Sequence, residues 1–99
     1  MDRPYIDRIP YTMAKAGLRA GLFGLARALA PEVRVNGLAP GAVLLPPGTD
    51  AKTEEAIRRA ALLRGVGTPG DVVEAALYLL RADFVTGTIL TVDGGRMLA

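Results

Sequence analysis

Val33-Arg34-Val35-Asn36-Gly37-Leu38-Ala39-Pro40-Gly41 reads as a strand over 33–39, β-branched at its start and closed by Pro40-Gly41. A second run, Thr88-Ile89-Leu90-Thr91-Val92, is entered through Thr86-Gly87 and stopped by Asp93-Gly94-Gly95, again a strand bounded by turn residues. The stretch between them is far too long for a hairpin. The two strands are therefore predicted to lie parallel, joined by a right-handed crossover. Working outward, Ala14, Leu18, Leu22, Leu25 and Leu29 recur at helical spacing and Pro31 supplies a stop, which predicts a helix over about 10–30. Ala56, Ile57, Ala60, Ala61 and Leu63 predict another over about 53–64, ending before Gly65-Val66-Gly67. Thr68-Pro69-Gly70-Asp71 combines an N-cap, a proline in the first turn and an early acid, so a third helix starts there and runs to about Arg81. Residues 1–9 read as a lead-in loop and 10–99 as one unit. The class is α/β, in the order helix-strand-helix-helix-strand. A parallel sheet needs cover on both faces and more than two strands, so the chain reads as part of a larger sheet.

Composition narrows the chemistry. The chain has 99 residues, 51% hydrophobic and 22% charged, the balance of one folded domain. It contains neither Cys nor His, which excludes disulfides, thiolate nucleophiles, Cys/His zinc sites and every His-dependent triad. No metal site is expected. Ser is absent as well, so Tyr, Lys, Thr and the carboxylates carry whatever chemistry there is. A formal charge of +2 with dispersed Lys and Arg and only 5% aromatics offers no nucleic-acid platform. The N-terminus is charged where a signal peptide needs an apolar core. The longest uncharged run, 35–49, is broken by Pro40, Pro46 and Pro47. A soluble, cytoplasmic protein without membrane contact is expected.

Within this frame Tyr11 and Lys15 stand out. Four residues apart near a helix start, they share one face. A phenol, with an ordinary pKa of about 10, exchanges protons at neutral pH when a nearby cation favours the phenolate. Lys15 can supply that cation. By itself the pair reads more readily as a Tyr packed at a helix end beside a solvated Lys. Residues 42–52, Ala-Val-Leu-Leu-Pro-Pro-Gly-Thr-Asp-Ala-Lys, form an apolar loop where loops are normally polar, so a ligand or a lid function is expected there. Asp93-Gly94-Gly95 is read as a turn after the last strand, with no catalytic role for Asp93.

Taken in order, Tyr11-Thr12-Met13-Ala14-Lys15-Ala16-Gly17-Leu18, then 30–41, then Gly67-Thr68-Pro69-Gly70-Asp71-Val72-Val73, then Val85-Thr86-Gly87 and Val92-Asp93-Gly94-Gly95 closely resemble the C-terminal half of the short-chain dehydrogenase/reductase family. Tyr11 to Lys15 together with 40–46 looks most like the pteridine reductase branch, which reduces pterins and folates with NADPH. The resemblance implies the C-terminal part of a Rossmann-type parallel sheet, an NADP or NAD cofactor and a small-molecule substrate. It implies that Tyr11 is the general acid during hydride transfer and that Lys15 binds the nicotinamide ribose while assisting Tyr11. Pro40, Gly41 and Val43 would flank the nicotinamide, with Val43 backbone meeting its carboxamide. Most family members carry Thr two positions after that Val; here Leu45 stands there, which removes a phosphate contact. The family's Gly-rich phosphate loop and catalytic Ser have no counterpart in 1–99. The N-terminal half of the implied fold is therefore missing, and the isolated chain is expected to be inactive. The alternative from another class is a non-catalytic oligomerising module derived from the same fold. Gly17, Gly21 and Gly24 along one helix, together with the open edge of the first strand, imply a homo-oligomer.

Overall fold

The computed structural model describes residues 9–99. Its elements are α1 (Ile9–Leu29), β1 (Gly37–Pro40), α2 (Ala51–Ala60), α3 (Pro69–Arg81) and β2 (Ile89–Val92), followed by a 3-10 turn at Arg96–Leu98. The lead-in loop expected over 1–9 lies outside the described residues except at Ile9, which is already helical.

β1 and β2 pair in parallel, in register from Gly37 opposite Ile89 to Pro40 opposite Val92. The Gly37 amide donates to Thr88 O and the Gly41 amide to Val92 O, both at 2.9 Å, closing the ladder at each end. The strand expected over 33–39 is thus shorter and shifted to 37–40. Residues 34–36 are engaged otherwise. The Arg34 guanidinium donates to Leu79 O at 2.7 Å and Leu80 O at 3.0 Å, the last carbonyls of α3, which have no partner within the helix. The Asn36 side chain donates to Val85 O at 2.9 Å and accepts from Thr88 N–H at 3.1 Å. Side chains therefore reinforce one backbone bond, Gly87 N–H to Val35 O at 2.8 Å, in place of a regular ladder before Gly37, and the entry to β1 is clasped to the entry to β2.

α2 starts and stops earlier than its apolar spacing suggests. Asp50 is the N-cap, its carboxylate accepting from Thr53 N–H at 2.7 Å. The helix ends at Ala60 because Leu63 N–H turns to donate to Gly94 O at 2.9 Å, a tertiary bond that helical geometry cannot make. α3 begins as expected: Thr68 and Asp71 form a reciprocal capping box, with proline in the first turn.

α1 and α3 lie on opposite faces of the sheet. A side-chain carbon at Gly37 would fall 2.6 Å from Leu22 Cδ1 of α1. The next residue, Leu38, lines a hollow with Ala76, Leu79 and Leu80 of α3, as strand alternation requires. Leu22 lies beside Gly37 and Ala26 beside Gly87, and Gly87 N–H is bonded to Val35 O. Moving toward the C-terminus of α1 therefore means moving toward the start of the strands, so helix and strands run antiparallel. Among the described residues only Ala26, Ala61 and Leu79 are buried, Ala26 against Gly87 before β2 and Ala61 against Gly94 after it.

Candidate active site

The antiparallel run of α1 carries its N-terminal turns toward the C-terminal edge of β1. From the contact of Leu22 with Gly37, Lys15 lies about 10 Å further along the helix at 1.5 Å per residue, and Pro40 about 10 Å further along the strand at 3.3 Å per residue. Tyr11 and Lys15 therefore lie toward the same end of the sheet as Pro40 to Val43. In open α/β sheets ligands bind in that position, outside the carboxyl ends of the strands.

On α1, Lys15 Nζ stands over the Tyr11 ring, 5.6 Å from its centroid, within range of a favourable cation–π contact. Both side chains are exposed, so phenol and ammonium are together and reachable from solvent. At the strand end, Gly41 approaches the opposite chain closely: a side-chain carbon there would lie 2.7 Å from Asp93 Cβ and 2.9 Å from Asp93 Cα. The loop is then pinned by Gly67 N–H, which donates to Ala42 O at 2.9 Å. Val43 lies between these anchors and the Pro-rich loop. Among the described residues its amide and carbonyl make no backbone hydrogen bond, an arrangement suited to a ligand carboxamide.

Beside this edge, on the α3 side, is a cavity of about 470 Å³ bounded by Ala42, Ile57, Val66, Asp71, Val92 and Arg96, among others. None of Tyr11, Lys15, Pro40, Gly41 and Val43 lines it. The polar lining is partly committed to local structure. Asp71 accepts from Thr68 N–H, and Asp93 accepts from Gly95 N–H at 2.8 Å and Met97 N–H at 3.1 Å. Asp93 is a turn residue, as its sequence context indicates. The anchor of Ala42 by Gly67 was missed in the sequence; no local pattern joins residues so far apart. Among the described residues no cluster of three or more acidic, His or Cys side chains could hold a metal. No helix there is long and apolar enough to cross a membrane.

Comparison with known proteins gives a consistent picture. A family model described as enoyl-(acyl carrier protein) reductase matches residues 4–96. The ketoacyl reductase 2 of the granaticin polyketide synthase of Streptomyces violaceoruber is 43% identical over 101 residues, covering 98% of this chain and 41% of the relative. Dihydromonapterin reductase of Citrobacter koseri is 38% identical over 98 residues, covering 99% of this chain and 41% of that protein. The crystal structure of a short-chain dehydrogenase from Leptospira borgpetersenii with bound NAD+ superposes with a TM-score of 0.76 at 32% identity, over 87% of this chain and 34% of that one. The chain spans about two fifths of the length of the curated relatives it matches.

Proposed function

Because the chain belongs to the short-chain dehydrogenase/reductase family, as the C-terminal part of its Rossmann-type fold, we propose that residues 10–99 carry the proton-transfer and nicotinamide-facing part of an NADP- or NAD-dependent reductase. Tyr11 acts as general acid, holding a proton on its phenol oxygen and passing it to the substrate atom that gains negative charge as it is reduced. Lys15 steadies the oxygen left behind and donates to the ribose hydroxyls. Pro40 and Gly41 bring bare backbone up to the nicotinamide, and Val43 N–H and C=O receive its carboxamide. A bound nicotinamide dinucleotide supplies the hydride. The loop 42–52 and α2 cover the substrate and exclude water.

The observation that supports this reading best is Lys15 Nζ over the Tyr11 ring, 5.6 Å from its centroid, on the N-terminal turns of a helix that runs antiparallel to β1. The substrate is a pterin or another small carbonyl or imine compound. The match to a dihydromonapterin reductase at 38% identity favours the pterin, and that to a ketoacyl reductase makes the carbonyl class the comparison in any substrate panel.

The test is reconstitution. The 99-residue chain alone is expected to show no NADPH-dependent reduction of dihydromonapterin, because the phosphate loop that orients a dinucleotide lies outside 1–99. Co-expressed with the N-terminal part of a relative, it should turn over. Tyr11→Phe should then lower the rate by about 10²- to 10⁴-fold, the usual value of a positioned proton donor, and Lys15→Ala should cost far more than Lys52→Ala. Equal losses from the two Lys variants overturn the role of Lys15; turnover by the chain alone that Tyr11→Phe abolishes would keep Tyr11 as the acid and overturn the need for an N-terminal part.

A further inference from the structure

Asn36 is the single Asn of the chain, Gln is absent, and the residue that follows it is Gly37. That order carries covalent chemistry. When the Gly37 backbone nitrogen gives up its proton to water and attacks Asn36 Cγ, a succinimide ring closes, the Cγ–Nδ2 bond breaks and ammonia leaves. Water then opens the ring at one carbonyl or the other, leaving Asp or its β-linked isomer at position 36. A following glycine makes the attack easy, because no side chain hinders its nitrogen and its backbone turns freely.

The fold holds every group that this step needs. Asn36 Nδ2, the leaving nitrogen, donates to Val85 O at 2.9 Å, and Oδ1 accepts from Thr88 N–H at 3.1 Å, which fixes the carboxamide across the chain. The attacking nitrogen keeps its proton in a bond to Thr88 O at 2.9 Å. One residue earlier, Val35 O accepts from Gly87 N–H at 2.8 Å and Val35 N–H donates to Thr86 Oγ1 at 3.1 Å. Asn36 and Gly37 are half-buried, and Leu22 of α1 lies where a side chain on Gly37 would begin. Ring closure therefore requires the entry to β1 to part from the entry to β2.

Conversion also changes what can re-form. A carboxylate at position 36 has no proton for Val85 O and sets acceptor against acceptor, leaving that carbonyl without its donor. The β-linked product adds one backbone atom ahead of Gly37, which puts the ladder from Gly37 opposite Ile89 to Pro40 opposite Val92 out of step. We propose that Asn36 is a deamidation site controlled by the fold: the native clasp protects it, opening of the clasp releases it to succinimide formation, and the product cannot rebuild the clasp. The site is independent of the roles proposed for Tyr11 and Lys15.

Incubation of the 99-residue chain at mildly alkaline pH, in buffer and in guanidinium chloride, tests it by charge-variant separation and peptide mapping. With no other side-chain amide in the chain, each loss of side-chain ammonia maps to Asn36. Conversion in guanidinium chloride is expected to be at least about tenfold faster than in buffer, where the open fraction limits it. Gly37→Ala should slow the reaction in guanidinium chloride severalfold, a readout that needs no folded variant. On dilution from denaturant, the fraction that regains the native transition should equal the fraction that keeps Asn36, and Asn36→Asp should unfold at lower denaturant or fail to fold. Equal rates in buffer and guanidinium chloride, a Gly37→Ala chain that converts as fast as the parent, or converted chains that regain the parent's transition would each refute the proposal.

Discussion

Gly41 illustrates how one residue serves structure before it serves a ligand. Its missing side chain lets the strand end pass Asp93 so closely that an added carbon would lie 2.7 and 2.9 Å from Asp93 Cβ and Cα. The backbone atom cannot rotate aside as a side-chain tip can. Gly41→Ala should therefore destabilise the isolated chain by about 1–3 kcal/mol, the range of overpacking, whatever the cofactor does. Chemical denaturation of the chain without cofactor checks this, and unchanged stability would leave only a ligand role for the glycine. Gly37 is the contrasting case. Its added carbon meets Leu22 Cδ1 at 2.6 Å, the flexible end of a side chain, which can move.

At the scale of elements, caps explain the boundaries better than apolar spacing does. Asp50 sets the start of α2, and bonds from the Thr53 hydroxyl and then the Thr53 amide hold its carboxyl below the ordinary value of 3.8. A carboxyl with a depressed folded pKa stabilises the fold fully above its unfolded value, and the contribution disappears as pH falls through the folded one. Loss of stability in acid should therefore include an Asp50 component below about pH 4. Asp50→Asn should flatten that part of the profile while leaving stability near pH 7 little changed, since Asn also caps well. Parallel stability curves for the two proteins below pH 4 would contradict this. At the far end of α3, Arg34 fulfils the complementary task by binding the terminal carbonyls, so the entry to β1 and the exit of α3 stand or fall together.

For the molecule as a whole, surface is the dominant fact. The chain leaves 7833 Å² accessible, whereas a compact monomer of 10.4 kDa leaves about 5400 Å². Beyond the nearby backbone of α1 itself, Gly17, Gly21 and Gly24 have no atom within 4 Å of where a side chain would begin, and each costs about 1 kcal/mol relative to Ala in a helix interior. Close approach of a second helix would offset those costs, and the exposed apolar residues of α1 would be covered with it. The chain alone is expected to self-associate through this face of α1, and Gly21→Leu should weaken the association by exclusion. A sedimentation mass near 10.4 kDa at micromolar concentration, with a cooperative melt, would show that the monomer suffices.

The order of elements, the parallel pairing and the cap of α3 were legible in the sequence, because each depends on neighbours a few residues apart: β-branched runs, apolar spacing, and Thr68 with Pro69 and Asp71. Tyr11 with Lys15 could be picked out as a pair for the same reason, whereas Pro40, Gly41 and Val43 were reached only through the family resemblance. What the sequence could not supply was the length of β1, the end of α2 and the placement of both groups toward one end of the sheet. Residues 33–36 have the composition of a strand, yet Arg34 and Asn36 bond to carbonyls more than forty positions away, and those bonds displace the ladder. α2 stops at Ala60 because Leu63 finds Gly94. Tyr11 and Lys15 lie toward the same end of the sheet as Pro40 to Val43 because Leu22 and Ala26 seat α1 antiparallel on it. Local periodicity determines which elements form; contacts between residues distant in the chain decide where they end and which side chains lie toward one end of the sheet.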